Sequence, residues 1–232
     1  MPGRYWTDES DTGGVVIGQM LKQRAQEMGL LLSEENVQAF ELYVAELKKW
    51  NRKVNLTAIT ADGEIVVKHI IDSLVFAEHV HDSESVLDIG SGAGLPAIPL
   101  KIVKPTVSVV SVDAVAKKIL FQRHMARLLK FNYFEAMHAR VESMRETGNR
   151  RFDVITSRAF SQLEQFVVLS APLLAMGGRM IAMKGPSAIE EIKKSEEILD
   201  TLGFKLSAIH SYKLPSNAGE RNLIIIARCE SA

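Results

Sequence analysis

The second half of the chain alternates short apolar runs with helical segments, and this alternation constrains the fold more than any other feature. The runs predict strands over 86–90, 106–113, 134–139, 152–160 and 179–185, and the run 106–113 is rich in β-branched residues. Two final runs, 204–214 and 223–229, have only a loop between them. Strands that alternate with helices predict a parallel sheet covered on both faces. We expect the last two strands to pair antiparallel, as a hairpin on one edge.

The residues before 85 have a different, helical pattern. Residues 1–13 are polar, and we expect them to be mobile. Ser33 is placed to be the N-cap of a helix in which apolar residues recur at helical spacing, and Asp62 is placed to cap a further helix. The sequence therefore predicts a tail and helical cap over 1–84 and one compact α/β core over 85–232.

Local signals place helix ends within this core. Ser161 with Glu164, and Ser187 with Glu190, have the spacing of capping boxes and predict two helix starts. Gly203 follows the second of these helices and has the position of a C′ glycine.

Composition limits the classes of protein to which the chain can belong. The one cysteine, Cys229, excludes an intramolecular disulfide framework and a cysteine-based zinc cluster. No His, Asp and Glu residues have ligand spacing, so we expect no metal. No signal peptide and no run of about 18–20 apolar residues is present, so we expect a cytoplasmic protein with no membrane partner. The composition is compatible with a monomer. The 28 basic and 28 acidic side chains balance, which argues mildly against indiscriminate wrapping of nucleic acid.

A glycine-rich turn links the first predicted strand of the core to the next helix. Its residues run from Asp88 through Gly90 and Gly92 to Gly94. Glycines at such a turn let the backbone bend tightly and let a ligand approach closely. Asp113 ends the next strand, about twenty residues further on, where it can accept hydrogen bonds from ribose hydroxyls. These features predict a cofactor that contains adenosine.

Two such cofactors must be compared, NAD and S-adenosylmethionine. The dinucleotide pattern counted from Gly90 would need a glycine where Leu95 stands, whereas a count from Gly92 finds Ala97 and a relaxed match. Asp88 favours the second cofactor, because its carboxylate suits the α-amino group of a methionine moiety. It would repel a pyrophosphate, which prefers bare N–H groups at a helix N-terminus. NAD stays open as an alternative.

Further motifs are spread from about Leu21 to Ala227, and together they resemble one family. The motifs are Trp50-Asn51, Asn55-Leu56-Thr57, His69-x-x-Asp72-Ser73, LDIGSGAGLPAIPL, Asp113, Arg140-Val141-Glu142, Ser157-Arg158-Ala159-Phe160, Lys184-Gly185 and Gly219-Glu220-Arg221. The chain resembles the bacterial small-subunit (16S) ribosomal RNA guanine-N7 methyltransferases, also called glucose-inhibited division protein B. Many methyltransferases share the glycine turn, whereas NLT, HxxDS and SRAF are far more specific. Ala97, Ala114 and Asn222 depart from the residues common in the family.

The resemblance implies a fold, a reaction and a set of binding residues. The fold is a Rossmann-like class I methyltransferase, with a seven-stranded, mostly parallel sheet, an antiparallel C-terminal edge hairpin and a preceding N-terminal helical cap. The reaction transfers the methyl group of S-adenosylmethionine to N7 of a guanine in the decoding-region loop of 16S ribosomal RNA, free or within the small subunit. The implied cofactor-binding residues are Asp88, Gly90, Gly92, Gly94, Leu95, Asp113, Val141, Glu142 and Arg158.

Candidates for RNA contact are Asn55, His69, Arg123, Lys184 and Arg221. Phe160 with Arg158 could stack on the target base. Two basic clusters add phosphate-binding candidates: Lys48, Lys49, Arg52 and Lys53, and, on a single predicted helix, Lys117, Lys118, Arg123, His124, Arg127 and Lys130. Guanine N7 carries a free lone pair, so the reaction needs alignment and no general base, and Arg158 is the one catalytic candidate. A small-molecule methyltransferase and an NAD- or nucleotide-binding regulatory module are the alternative functions.

Overall fold

Eight α-helices and seven strands form over residues 12–145, 150–159 and 161–229, the part of the chain that the computed structural model describes. The helices are α1 (Thr12–Glu27), α2 (Glu34–Asn51), α3 (Asp62–Ile65), α4 (Asp72–Ala77), α5 (Ala97–Val103), α6 (Ala116–Leu128), α7 (Leu163–Ser170) and α8 (Ala188–Thr201). The strands are β1 (Ser85–Ile89), β2 (Ser108–Asp113), β3 (Phe134–His138), β4 (Phe152–Arg158), β5 (Leu174–Lys184), β6 (Phe204–Lys213) and β7 (Glu220–Arg228). A π-helical segment, Val66–Ile71, joins α3 to α4.

The strands form one sheet in the order β3-β2-β1-β4-β5-β7-β6. The first five strands of this order are parallel to one another, whereas β7 runs antiparallel to both β5 and β6. This confirms the predicted seven-stranded, mostly parallel sheet with an antiparallel hairpin at one edge. The strand order reverses between β1 and β4. Open α/β sheets bind ligands at the carboxyl ends of the strands beside such a reversal.

The helix that follows β4 begins differently from the sequence prediction. The predicted capping box of Ser161 and Glu164 is wrong: α7 starts at Leu163, one residue later than predicted, and Gln162 at its N-cap makes no side-chain cap hydrogen bond. The first N–H of α7, that of Leu163, instead donates to the carboxylate of Glu191 at 3.1 Å. A side chain of α8 therefore accepts the first N–H of α7.

The second predicted capping box, Ser187 with Glu190, is also wrong. Ser187 does occupy the N-cap of α8, but its backbone ψ of 5° is not extended and its side chain makes no cap hydrogen bond. Its hydroxyl donates to Glu191 instead, at 3.5 Å. At the other end of α8, Gly203 has a φ of 72° and confirms the predicted C′ glycine.

The helical cap is formed by α1, α2 and the continuous helix from α3 to α4. Ser33 is confirmed as an N-cap, because its side chain accepts the N–H of Asn36 while the Asn36 side chain accepts the N–H of Ser33. Asp62 is not a cap: it lies in the first turn of α3, and its carboxylate pairs with Lys48 at 2.6 Å. Residues 12 and 13, which we expected to be mobile, lie within α1.

The cap and the helices of the α/β core share one hydrophobic cluster. Buried residues of α1, α2 and the π-helical segment, such as Leu21, Phe40 and Ile70, pack with Ile98 of α5 and Phe121 of α6. The helical cap therefore lies against the helices that follow β1 and β2. Its π-helical segment faces the carboxyl ends of the central strands.

Candidate active site

The glycine-rich turn follows β1 and is held from three sides. The buried Gln122 of α6 donates to the Ser91 hydroxyl at 2.8 Å and to the Gly92 carbonyl at 2.9 Å. The Tyr43 hydroxyl of α2 donates to the Ala93 carbonyl at 3.0 Å. These contacts fix the backbone before any ligand binds.

Asp113 supplies the third support of the turn. One carboxylate oxygen accepts the N–H of Gly92 at 2.9 Å, and the other accepts the N–H of Val115 at 2.8 Å. Nζ of Lys118 lies 3.9 Å from Oδ2 of Asp113. Each carboxylate oxygen accepts more than one hydrogen bond, so Asp113 can hold the turn and still accept a hydroxyl group.

Asp88 lies beneath the turn, fully buried, and contributes to neither cavity described below. Its Oδ2 accepts the N–H of Ala97 at 3.2 Å, whereas its Oδ1 has no partner among the described residues. Burial raises the pKa of Asp88 well above its usual range. An unpartnered buried oxygen is rare in proteins, and a cationic group or a water molecule placed against it would favour the ionised form.

A main cavity of about 770 Å³ opens between the turn, the carboxyl ends of β4 and β5, and the helical cap. Its size is that of a small-molecule site. Of the predicted site residues, the structure brings seven to its wall: Gly90, Gly92, Leu95, Arg158, His69, Lys184 and Arg221. Thr57, Lys68, Asp72, Lys118 and Glu191 also line it.

A small cavity of about 210 Å³ adjoins the main cavity on the other side of Gly90. Asp113 at the end of β2 and Val141 and Glu142 after β3 line it. Three further predicted cofactor-binding residues therefore line one small cavity. Gly90 is the one predicted residue that lines both cavities.

Asp72 is the centre of a charged cluster at the wall of the main cavity. It is 3% exposed, and its Oδ1 accepts the Tyr212 hydroxyl of β6 at 2.7 Å. Arg158 lies 3.6 Å from its Oδ2, and Arg221 lies 3.9 Å from its Oδ1. Burial raises the pKa of Asp72, and the two arginines oppose that shift. The carboxylate thus holds two arginines from β4 and β7 at one wall.

Arg158 also contacts the helical cap. It donates to the Lys68 carbonyl at 2.8 Å, and its Nη2 lies 3.3 Å from Nδ1 of His69. The His69 ring reaches Thr57 at 2.8 Å on its other side. Asn51 in turn holds Thr57, because it accepts the Thr57 N–H at 3.0 Å and donates to the Thr57 carbonyl at 2.9 Å. The WN, NLT, HxxDS and SRAF motifs therefore meet in one hydrogen-bonded network.

Lys184 at the end of β5 is neutralised within the protein. It pairs with Glu191 of α8 at 2.7 Å and also donates to the Ser161 carbonyl. Asn222 bridges neighbouring segments, because it accepts the Ser211 hydroxyl at 2.7 Å and donates to the Gly185 carbonyl at 2.9 Å.

Several predicted residues lie outside both cavities. Asn55 is exposed, Gly94 is buried against Ile98, and Arg123 donates to the Ala136 carbonyl beside β3. Phe160 lies outside the described residues. In the basic clusters, four side chains are paired with carboxylates, namely Lys48 with Asp62, Lys49 and His124 with Glu46, and Lys118 with Asp113.

Among the site residues that were not found from the sequence, three support the site through distant partners, and no local signal marks them. Gln122 lies within a helix of ordinary composition, and Tyr43 lies 50 residues before the carbonyl that it contacts. Tyr212 lies 140 residues after Asp72. Only the fold brings these partners together.

Within the described residues, no group of three or more His, Cys, Asp or Glu side chains could hold a metal ion. None of the helices in that part of the chain combines the length and the apolar character needed to cross a membrane.

Comparison with solved structures identifies the fold. The ribosomal protein L11 methylase of Lactobacillus delbrueckii subsp. bulgaricus matches with a TM-score of 0.55 at 17% identity, over 70% of this chain and 79% of that one. The fibrillarin of Aeropyrum pernix, solved with natively bound S-adenosyl-L-methionine, matches with a TM-score of 0.51 at 17% identity, over 62% and 66%. The fold is that of the class I methyltransferases.

Sequence comparison is more specific. The family profile described as "GidB: rRNA small subunit methyltransferase G" matches residues 36–224. The ribosomal RNA small subunit methyltransferase G of Geobacter sulfurreducens is 47% identical over 210 residues, and that of Geobacter sp. strain M21 is 45% identical over the same length. Both alignments cover 90% of this chain and 97% of the relative. The chain belongs to the rRNA small subunit methyltransferase G family.

Proposed function

We propose that this protein transfers the methyl group of S-adenosylmethionine to N7 of a guanine in the decoding-region loop of 16S ribosomal RNA. The substrate is that RNA, free or within the small ribosomal subunit. Family membership supports the class of reaction and of substrate. The residues at the main cavity support the choice of the acceptor atom.

The glycine turn and the two cavities fit the cofactor. Space above Gly92 is open, since a Cβ built there meets no atom within 4 Å, so a ligand can lie against its backbone. The unpartnered Oδ1 of Asp88 offers a buried acceptor beneath the same turn. We propose that Asp113, Val141 and Glu142 hold the adenosine part, and that the turn and Arg158 hold the methionine part. Bound there, S-adenosylmethionine supplies a methyl group that a lone pair can attack.

The observation that carries the proposal is that no carboxylate or histidine at the main cavity is available as a general base. Among its described lining residues, Asp72 is 3% exposed and is held by two arginines and a tyrosine hydroxyl, and Glu191 pairs with Lys184. His69 has contacts at both ring nitrogens. An exocyclic amine or a hydroxyl group loses a proton when it is methylated, whereas guanine N7 has no proton to lose. The site can therefore act by alignment alone.

The charge of the cavity wall favours a nucleic acid over a neutral small molecule. Lys68, Lys118, Arg158, Lys184 and Arg221 line it. The same wall has two carboxylates, those of Asp72 in α4 and Glu191 in α8, so positive charge remains in excess. Cationic side chains position a nucleic acid through its phosphates. A balanced total charge is thus compatible with a local RNA-binding face.

The test is methyl transfer in vitro. Small subunits from a strain that lacks the gene are incubated with the protein and methyl-labelled S-adenosylmethionine, and the 16S RNA is digested to nucleosides. We expect the label in 7-methylguanosine, and a loss of at least about tenfold in Arg158→Ala. Arg151→Ala, at the opposite end of β4, is the matched control and should keep full activity. Label in another nucleoside, or tight binding of NAD in equilibrium dialysis in place of S-adenosylmethionine, would contradict the proposal.

A further inference from the structure

The hydroxyl group of Thr57 has an unusual environment at the wall of the main cavity. Its Oγ1 lies 2.8 Å from Nε2 of His69 and accepts the backbone N–H of Ile59 at 3.1 Å. A threonine hydroxyl has one hydrogen to donate and two lone pairs that accept. The direction of the contact with His69 therefore decides what Thr57 can still offer to a ligand.

Arg158 fixes that direction. Its guanidinium group only donates hydrogen bonds, and its Nη2 faces Nδ1 of His69 at 3.3 Å. Nδ1 must then carry the lone pair, so the ring hydrogen of neutral His69 is on Nε2. Burial and the nearby Arg158 lower the pKa of His69 to about 4, which keeps the ring neutral at physiological pH. The Nε2–H group therefore donates to Thr57.

Both lone pairs of the Thr57 hydroxyl are then filled, one by His69 and one by Ile59. Its own hydrogen has no acceptor among the described residues, although Thr57 lines the main cavity. The hydroxyl group can therefore act only as a donor towards the cavity. Asn51 holds Thr57 through its backbone, so this donor is positioned before any substrate binds.

We propose that the Thr57 hydroxyl donates to O6 of the target guanine and makes Thr57 a specificity-determining residue. O6 and N7 lie side by side on the same edge of guanine, and both are acceptors. A base that presents N7 for methylation thus presents O6 to a neighbouring donor. Adenine carries an N6 amino group there, and a hydroxyl with both lone pairs filled cannot accept from it. This inference rests on the proposed function.

The test pairs a change in the protein with a change in the base. Thr57→Val and Thr57→Ser are compared with the unchanged protein on small subunits reconstituted with 16S RNA that carries guanosine or 2-aminopurine riboside at the methylated position. 2-Aminopurine keeps N7 and lacks O6. On guanosine, Thr57→Val should lower kcat/KM by roughly ten- to a hundredfold, because O6 is left without a donor, and Thr57→Ser should stay within about threefold.

The analogue separates recognition from structure. Thr57→Val also removes the acceptor of His69, and that structural effect would be the same on either base. On 2-aminopurine we expect Thr57→Val and the unchanged protein to agree within about twofold. Equal losses on both bases, or no loss on guanosine, would overturn the role of Thr57.

Two controls complete the design. Thr60→Val, at an exposed position three residues away, should change neither rate. The affinity for S-adenosylmethionine, measured by calorimetry, should be unchanged in Thr57→Val. A loss of this affinity would show that the hydroxyl contacts the cofactor and would overturn the proposal. If the unchanged protein fails to methylate guanosine, the proposed function fails and this inference with it. If only Thr57→Val behaves otherwise than expected, the inference fails alone.

Discussion

At the scale of single residues, glycines of the same turn have different tasks. Gly92 has a φ of +58° and open space where a Cβ would lie. Gly94 has a φ of +80°, and a Cβ there would lie 2.5 Å from Cδ1 and 2.7 Å from Cγ1 of Ile98. Gly94 therefore serves the packing of the turn against α5, and Gly92 serves the cavity.

A matched pair of alanine variants separates these tasks. Both substitutions place a side chain at a positive φ, which costs about 1–2 kcal/mol each. Gly94→Ala should cost a further 1–3 kcal/mol or so through the clash with Ile98. Urea unfolding measures both losses, and calorimetry should show that Gly92→Ala weakens binding of S-adenosylmethionine whereas folded Gly94→Ala does not. Equal stability of the two variants would contradict the packing role of Gly94.

The sequence predicted those site residues that follow directly from strand ends and from family motifs. Asp113 and Arg158 are such residues, because each is the last residue of a strand whose carboxyl end points to the ligand edge. Gln122 and Tyr212 could not be found in this way. Their roles depend on partners that are distant in sequence, and nothing in their local pattern distinguishes them from ordinary helix and strand residues.

At the scale of elements, helix starts show how far a local pattern can be trusted. Ser33 has the extended backbone that an N-cap needs, with a ψ of 162°, and forms its capping box. Ser187 has a ψ of 5° and forms none. A serine at the N-cap position thus forms its cap hydrogen bond where its backbone is extended, and the surrounding fold determines that backbone angle.

These two serines give a direct comparison. Ser33→Ala should lower the free energy of unfolding by about 1 kcal/mol, because the Asn36 N–H loses its acceptor. Ser187→Ala should lower the free energy of unfolding by only about a few tenths of a kcal/mol, because this exposed side chain makes one long hydrogen bond. Chemical denaturation of both variants tests this, and a larger loss in Ser187→Ala than in Ser33→Ala would contradict the assignment.

At the scale of the whole molecule, the division into a cap over 1–84 and a core over 85–232 stays a prediction. The hydrophobic cluster shared by α1, α2, α5 and α6 favours cooperative unfolding of the two. The order of the last strands was not predicted from the sequence. β7 buries Leu223, Ile224 and Ile226 and lies inside the sheet, whereas β6 exposes nearly every residue after Phe204 and forms the edge. A continuous apolar run is typical of an interior strand, so the difference was present in the sequence.

Trp50 reports on cooperativity, because its ring packs against Phe121 at 5.7 Å and His124 at 5.2 Å between centroids, where α2 meets α6. In a Trp6→Phe variant, Trp50 is the sole tryptophan. Its fluorescence and far-ultraviolet circular dichroism should give the same urea midpoint, as two-state unfolding requires. Separate midpoints would show that the cap and the core unfold independently.

The central claim, methylation of N7 of one guanine in 16S RNA, is tested most directly in cells. 7-Methylguanosine is mapped in 16S RNA from a deletion strain, from the same strain with the gene restored, and from that strain carrying the Arg158→Ala gene. We predict that the modification is absent after deletion, returns with the restored gene, and stays strongly reduced with the variant. Persistence of 7-methylguanosine at the decoding-region position in the deletion strain would contradict the claim.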